Sequence, residues 1–195
     1  TRFLQALRAA ARGYMSGKEE IREKLKIKRR YFDGVRREVA DGCIKDNFLA
    51  AFSSCDSFFI YNSFSTEADT SAIINALVSA GKKVFLPRTE GENIVAAVYS
   101  EHMKKGAFGI FEPLGAPYGG QIDVTVLPLL AVNNDGFRIG YGKGCYDKFL
   151  KDMHTLKVGL GYSFQIEKFS ADAWDVPLDF FVCEKGIYTY GNDGQ

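Results

Sequence analysis

The sequence has little of what marks several protein classes. It contains only four cysteines, widely spaced and without a CxxC pair, and only two histidines, so a zinc site is not expected. No apolar run approaches the roughly 18–20 residues that cross a bilayer, and a net charge of +1 excludes a globally basic, nucleic-acid-binding surface. We therefore expect a cytoplasmic protein with reduced thiols that binds neither nucleic acid nor a membrane. We also expect a monomer.

The composition favours one α/β domain. Hydrophobic residues make up 46% of the 195-residue chain, which is enough for a substantial core. Residues 1–17 contain arginine but no acidic side chain and are predicted to form an N-terminal helical extension, with a transit-peptide remnant as the alternative. Residues 18–195 are predicted to form the single domain.

Helical and strand-like patterns alternate along this domain. Apolar residues at helical spacing predict helices near 44–52 and 73–78, the second of which ends at Gly81. Apolar runs and Gly/Pro content predict strands at 57–61, 84–88, 94–99, 124–132, 157–162 and 180–183, and a long loop at 106–120. The alternation indicates a three-layer α/β/α sandwich around a mainly parallel, mixed sheet, preceded by an N-terminal helical segment.

A glycine-spaced loop, DGFRIGYGKGCYD at 135–147, is the most informative segment. It follows the apolar run 124–132 and precedes a helix pattern whose apolar residues recur at i, i+3, i+4 and i+7 from Tyr146. This order predicts a strand-to-helix turn at the carboxyl end of the sheet, where α/β proteins bind ligands. The glycines permit positive φ and a close approach to a ligand, and the first amides of the helix are unpaired donors. The loop is therefore predicted to hold phosphate.

Charged side chains in and near the loop extend this hypothesis. Arg138 can add a two-pronged contact and Lys143 a point charge. Asp147 suits Mg²⁺, which prefers one or two carboxylates together with phosphate oxygens and water. Lys18 and Arg22, four residues apart, would project from one face of the first helix, although most such charge runs are solvated surface. A purely structural glycine turn is the alternative.

The loop resembles the R-x-G-x-G-x-G-Y-Y-D signature of the 5-formyltetrahydrofolate cyclo-ligase family, also called 5,10-methenyltetrahydrofolate synthetase. Further segments between Lys18 and Tyr188 resemble that family in the same order: Lys18-x-x-x-Arg22, Glu67-Ala-Asp-Thr70, Lys83-Val-Phe-Leu-Pro87, Gly109-Ile-Phe-Glu-Pro113, Leu160–Gln165 and Asp175–Asp179. The resemblance implies an ATP- and Mg²⁺-dependent cyclisation of 5-formyltetrahydrofolate to 5,10-methenyltetrahydrofolate. ADP and phosphate would leave after phosphorylation of the formyl oxygen and attack by N10.

The resemblance also implies roles for single residues. It assigns catalysis to Glu67, Arg138 and Lys143, and Mg²⁺ binding to Asp147. The residues it implies for ATP and phosphate binding are Lys18, Arg22, Arg138, Gly140, Tyr141, Gly142, Lys143, Gly144 and Tyr146. Those it implies for folate binding, in a slot with aromatic walls, are Tyr61, Phe64, Glu67, Phe108, Cys145 and Tyr146, with Arg88 as a candidate for a folate carboxylate.

Two positions depart from the family pattern. Tyr141 stands where many relatives have arginine, which removes one candidate phosphate contact. Cys145 replaces the first tyrosine of the Tyr-Tyr-Asp signature, which changes the folate contact and places a thiol where a helix start can make it reactive.

These departures leave other functions open. A non-catalytic folate- or nucleotide-binding protein on the same fold is the main alternative, and a sugar-phosphate isomerase on a similar sandwich is a third. The isomerase hypothesis gives no role to the cation pair on the first helix. Glu67, Lys143 and Asp147 together favour catalysis, because a binding protein needs no metal beside a phosphate loop.

Overall fold

The computed structural model describes residues 17–91, 93–106, 109–142, 144–151 and 153–191. Most of the predicted N-terminal extension, together with Phe108 and Lys143, lies outside these described residues. The described helices are α1 Gly17–Tyr31, α2 Gly34–Phe52, α3 Ser71–Ser79 and α4 Cys145–Leu150. None of them is both long enough and apolar enough to span a membrane.

The strands fall into one large sheet and two small ribbons. They are β1 Ser57–Ile60, β2 Lys83–Glu90, β3 Asn93–Val98, β4 Met103–Lys105, β5 Phe111–Pro113, β6 Pro117–Tyr118, β7 Val124–Leu127, β8 Ala131–Val132, β9 Arg138–Ile139, β10 Leu156–Leu160, β11 Phe180–Cys183 and β12 Gly186–Thr189. The large sheet has eight strands in the order β12-β11-β10-β7-β1-β2-β3-β6. Its central strands, from β11 to β2, are parallel, and antiparallel strands flank them on both sides.

Helices cover both faces of this sheet. Strand β1 is buried along its whole length, and its alternate side chains point to opposite faces. Phe58 and Ile60 pack with the apolar sides of α2 and α3, whereas Phe59 packs with Phe149 of α4. The predicted three-layer sandwich around a mainly parallel sheet is therefore confirmed.

The segment before the glycine loop differs from its prediction. The run 124–132 is not one strand, because β7 ends at Leu127 and Pro128 has no backbone N–H to continue a ladder. The chain resumes as β8, which pairs with β9 in a separate hairpin. The glycine loop consequently follows this hairpin rather than a strand of the main sheet.

Two other boundaries also differ. Helix α4 ends at Leu150, so Met153 lies beyond it, although Met153 still packs against the cluster that contains Phe59. The predicted long loop at 106–120 contains β5, which pairs with β4 just before it, and the edge strand β6. Short strands of two or three residues give too little apolar alternation to be detected from sequence.

Candidate functional site

Three separate segments meet at one end of the sheet: helix α1, the loop 61–70 that follows β1, and the glycine loop that follows β9. Arg22 of α1 donates from Nε to the carbonyl of Gly140 at 3.1 Å. Arg29, two turns further along the helix, donates to the Tyr141 hydroxyl at 2.7 Å and to Thr66 Oγ1 at 3.2 Å. The first helix, the Glu67 segment and the glycine loop therefore lie together in the structure.

Of the three alternating glycines of the loop, at 140, 142 and 144, two have a positive φ. Gly142 has φ +91° and Gly144 has φ +63°, both in the region that other residues rarely adopt. Gly140 has no positive φ, so the conformational freedom of glycine is not used at that position. A Cβ on Gly142 would stand 3.8 Å from Cζ of Arg22, which shows how closely the helix cation approaches the loop.

Arg138 connects the start of the glycine loop to Asp147 and to the segment at Val176. Its buried guanidinium donates to Asp147 Oδ1 at 2.8 Å and to the Val176 carbonyl at 3.1 Å. The Asp147 side chain keeps 33% of its surface exposed and is oriented by this ion pair. One such carboxylate, completed by phosphate oxygens and water, fits a Mg²⁺ site. Within the described ranges no group of three His, Cys, Asp or Glu side chains forms a closed metal cage.

Lys18 is held by carboxylates at the start of α1. Its Nζ lies 2.6 Å from Asp172 Oδ2 and 2.7 Å from Asp175 Oδ2. Partial burial alone would lower the pKa of Lys18, but the two hydrogen-bonded carboxylates raise it overall. The ammonium group therefore stays charged at the start of α1, and its predicted contact with ATP requires a phosphate to compete with Asp172 and Asp175.

Glu67 is a nearly buried carboxylate, with 8% of its surface exposed. Its Oε2 accepts the backbone N–H of Phe64 at 2.8 Å. Burial raises the pKa of Glu67, while Tyr141, the Phe64 amide and the charges of Arg29 and Arg37 act in the opposite direction. The loop itself is fixed from α2, because Arg37 donates to the Glu67 carbonyl at 2.6 Å. A carboxylate in this setting can take up a proton more readily than an exposed one.

The predicted aromatic walls divide into exposed and buried rings. Phe64 is 51% exposed beside Glu67 and is free to contact a flat ligand. Tyr61 lies in the core and donates to the Ala68 carbonyl at 3.2 Å, so its contact with folate stays a prediction. Tyr146 and Cys145 are partly buried at the start of α4, next to the glycine loop. Arg88 pairs with Glu90 on β2 rather than standing free.

One residue of this site was missed from the sequence. Arg29 is buried and bridges two of the three converging segments, yet only Lys18 and Arg22 were singled out on α1. The signal was available, since residues 18, 22, 25 and 29 fall on one helical face and Leu25 supplies its apolar centre. Continuing the helical spacing from Arg22 through Leu25 leads to Arg29.

The chain resembles known proteins along most of its length. The model of the 5-formyltetrahydrofolate cyclo-ligase family matches residues 14–184. The 5-formyltetrahydrofolate cyclo-ligase of Mycoplasma pneumoniae is 45% identical over 64 residues, which cover 32% of this chain and 39% of that protein. The 5-formyltetrahydrofolate cyclo-ligase of Escherichia coli K12 is 30% identical over 145 residues, which cover 67% of this chain and 79% of that protein.

A solved structure shares the fold over nearly the full length. The NMR structure of Aquifex aeolicus 5,10-methenyltetrahydrofolate synthetase aligns with a TM-score of 0.81 at 32% identity. The alignment covers 91% of this chain and 94% of that one. The observed sandwich is therefore the architecture of that protein.

Proposed function

Because the chain belongs to the 5-formyltetrahydrofolate cyclo-ligase family, we propose that it cyclises 5-formyltetrahydrofolate to 5,10-methenyltetrahydrofolate with ATP and Mg²⁺, releasing ADP and phosphate. The observation that carries the proposal is the contact between two parts of the site, a phosphate half-site at the glycine loop and a folate half-site at the loop 61–70. A glycine loop with cations from α1 adjoins a buried carboxylate and an exposed aromatic ring on the loop 61–70. A two-substrate reaction needs this adjacency, and a simple nucleotide-binding protein does not.

The phosphate half-site would be formed by the glycine loop and α1. Gly142 and Gly144 leave the backbone uncovered, and Arg22 lies against the loop at Gly140. Lys143 is proposed as a further phosphate contact on sequence grounds, since it lies outside the described residues. Phosphoryl transfer depends mainly on positioning and on neutralising charge, which amides and fixed cations provide.

Asp147 is the residue proposed to hold Mg²⁺, with Arg138 keeping its carboxylate in place. When bound there, Mg²⁺ would neutralise charge on the phosphate oxygens. Arg138 itself is buried and uses two nitrogens on Asp147 and the Val176 carbonyl. We therefore propose that its role is to orient the metal-binding carboxylate.

The folate half-site would bring the formyl group and N10 to Glu67. The formyl oxygen attacks the γ-phosphorus of ATP, the bond to ADP breaks, and the oxygen becomes part of a phosphate leaving group. N10 then attacks the formyl carbon, loses its proton and expels phosphate. Glu67 is proposed to accept that proton, because its environment raises its pKa and its Oε2 is already oriented by the Phe64 amide. Phe64 would stack on the flat ring system.

The test is a direct assay of product formation. The protein is mixed with ATP, 5-formyltetrahydrofolate and a range of Mg²⁺ concentrations, and the absorbance of the conjugated methenyl product is followed. We expect turnover that requires both ATP and the metal. A protein that is folded by circular dichroism but forms no product at any Mg²⁺ concentration overturns the proposed function.

A further inference from the structure

Arg29 is a buried cation without a carboxylate partner among the described residues. It is 4% exposed, and no described acidic group lies within ion-pair distance of its guanidinium. Burying a charge is costly unless hydrogen bonds replace the water that it loses. Here they come from three uncharged acceptors, and each belongs to a different part of the site.

The three acceptors are far apart in sequence. Nε donates to Thr66 Oγ1 at 3.2 Å, next to Glu67. Nη1 donates to the Leu129 carbonyl at 3.2 Å, just beyond the end of β7. Nη2 donates to the Tyr141 hydroxyl at 2.7 Å in the glycine loop, and Cζ lies 5.8 Å from the centre of the Tyr141 ring. One planar guanidinium thus links the loop of Glu67, the glycine loop and the end of β7, and fixes their relative positions.

We propose that Arg29 is a positioning residue, and that the Tyr141 hydroxyl is the point by which it holds the phosphate-side glycine loop against the folate-side loop of Glu67. The inference rests on the proposed function. Because Arg29 is buried, it acts through Tyr141 and Thr66 rather than by touching substrate. A rigid clamp of this kind aligns two bound substrates, and misplacement of about 1 Å can cost about 100-fold in rate.

In this role Tyr141 links the glycine loop to Arg29 instead of contacting phosphate. Tyr141 as a whole residue is 46% exposed on the loop, and its hydroxyl accepts from buried Arg29. The hydroxyl also interacts with Glu67, and burial raises the pKa of Tyr141, so the phenol stays protonated. The phenol can therefore accept from Arg29 and donate towards Glu67 at the same time.

A double-mutant cycle tests the clamp. Arg29→Gln, Tyr141→Phe and the double variant are compared with the natural chain, with Arg30→Gln as the matched control, because Arg30 is the exposed neighbour on α1. We expect Tyr141→Phe to lower kcat about 10- to 100-fold while the KM values for ATP and 5-formyltetrahydrofolate change less than about 3-fold. Arg29→Gln in the Tyr141→Phe background should add little further loss, since contacting residues are non-additive.

A second measurement keeps the inference testable if Arg29→Gln fails to fold or if the natural chain shows no turnover. Amide hydrogen exchange of residues 64–67 and 140–142 should speed up in Tyr141→Phe and remain unchanged in Arg30→Gln. Unchanged exchange in Tyr141→Phe overturns the clamp whether or not the enzyme is active. Additive losses of kcat in the cycle, or a loss confined to the KM for ATP, also overturn it. Absence of turnover in the natural chain overturns the proposed function alone.

Discussion

Replacement of Glu67 by glutamine separates the chemical role of this residue from its structural role. Glutamine has the same shape and can still accept the Phe64 amide through its carbonyl oxygen, so the bond now 2.8 Å long can persist. The change removes a hydrogen bond to a charged group, which stabilises by about 1.5–3 kcal/mol. It also removes the cost of burying a carboxylate that is only 8% exposed. The two effects oppose each other, so we expect stability at neutral pH to change by less than about 1.5 kcal/mol.

The effect on catalysis should be much larger. Loss of a general base typically costs about 10²–10⁴ in rate, which corresponds to about 2.7–5.4 kcal/mol in the barrier. A domain that is stable by about 5–15 kcal/mol stays folded after losing 1.5 kcal/mol, so unfolding cannot account for such a drop. Steady-state kinetics by methenyl absorbance would measure it. A Glu67→Gln variant with kcat/KM within tenfold of the natural chain refutes the assignment of Glu67 as the base.

The pH dependence of stability gives an independent check on Glu67. Burial raises its pKa in the folded state above the ordinary value of 4.5. A raised carboxyl pKa means that the folded state binds the proton more tightly, so this contribution is fully present below pH 4.5 and is lost as the pH rises through the folded pKa. Urea unfolding at several pH values should show the natural chain gaining stability relative to Glu67→Gln as the pH falls. Parallel curves would contradict the burial of a titrating carboxylate.

Three further outcomes follow from the same structure. Asp123→Asn, at the opposite end of the sheet, should lose about 1–3 kcal/mol of stability but keep its activity. Hydrogen bonds from the Asp56 amide and Ser57 lower the pKa of Asp123, so its contribution to stability disappears as the pH falls. In urea unfolding, the natural chain should therefore lose stability relative to Asp123→Asn as the pH falls, the opposite of the change expected against Glu67→Gln. Phe64→Ala should raise the KM for the folate about 3- to 10-fold, a stacking loss of about 0.5–1.5 kcal/mol, with an unchanged melting temperature because the ring is exposed. Lys18 binds Asp172 and Asp175, which flank Trp174, the only tryptophan. If ATP draws Lys18 away from these carboxylates, the fluorescence emission of Trp174 should change on ATP binding, and titration with inorganic triphosphate should give the same change.

The sequence predicted the elements whose signals are local. The strand at 180–183 has the predicted bounds, and Gly81 follows α3 with φ +73°, as a glycine that ends a helix does. The apolar run at 57–61 became the buried centre of the sheet. Each of these depends on spacing or conformation within about ten residues, which a single sequence displays directly.

The elements that were mispredicted are short strands that form only by pairing with one another. Strands β8 and β9 are two residues each and exist because they pair with one another across the turn 133–137. The apolar character of 124–132 could not distinguish a single long strand from two short ones, because both are buried. The presence of Pro128 in the middle of that run was the only local sign of the break.

Long separation along the chain explains why the site was found in parts but not as a whole. Lys18 pairs with Asp172 across 154 residues, and Arg29 reaches Tyr141 across 112. A charge run on a helix is usually solvated, and nothing local separates a solvated arginine from one that is buried against a loop so far along the chain. Each cation on the inner face of α1 binds a group from the second half of the chain, so α1 forms one wall of the site. Catalysis should therefore depend on the docking of α1, and loosening that helix should reduce kcat before it unfolds the sheet.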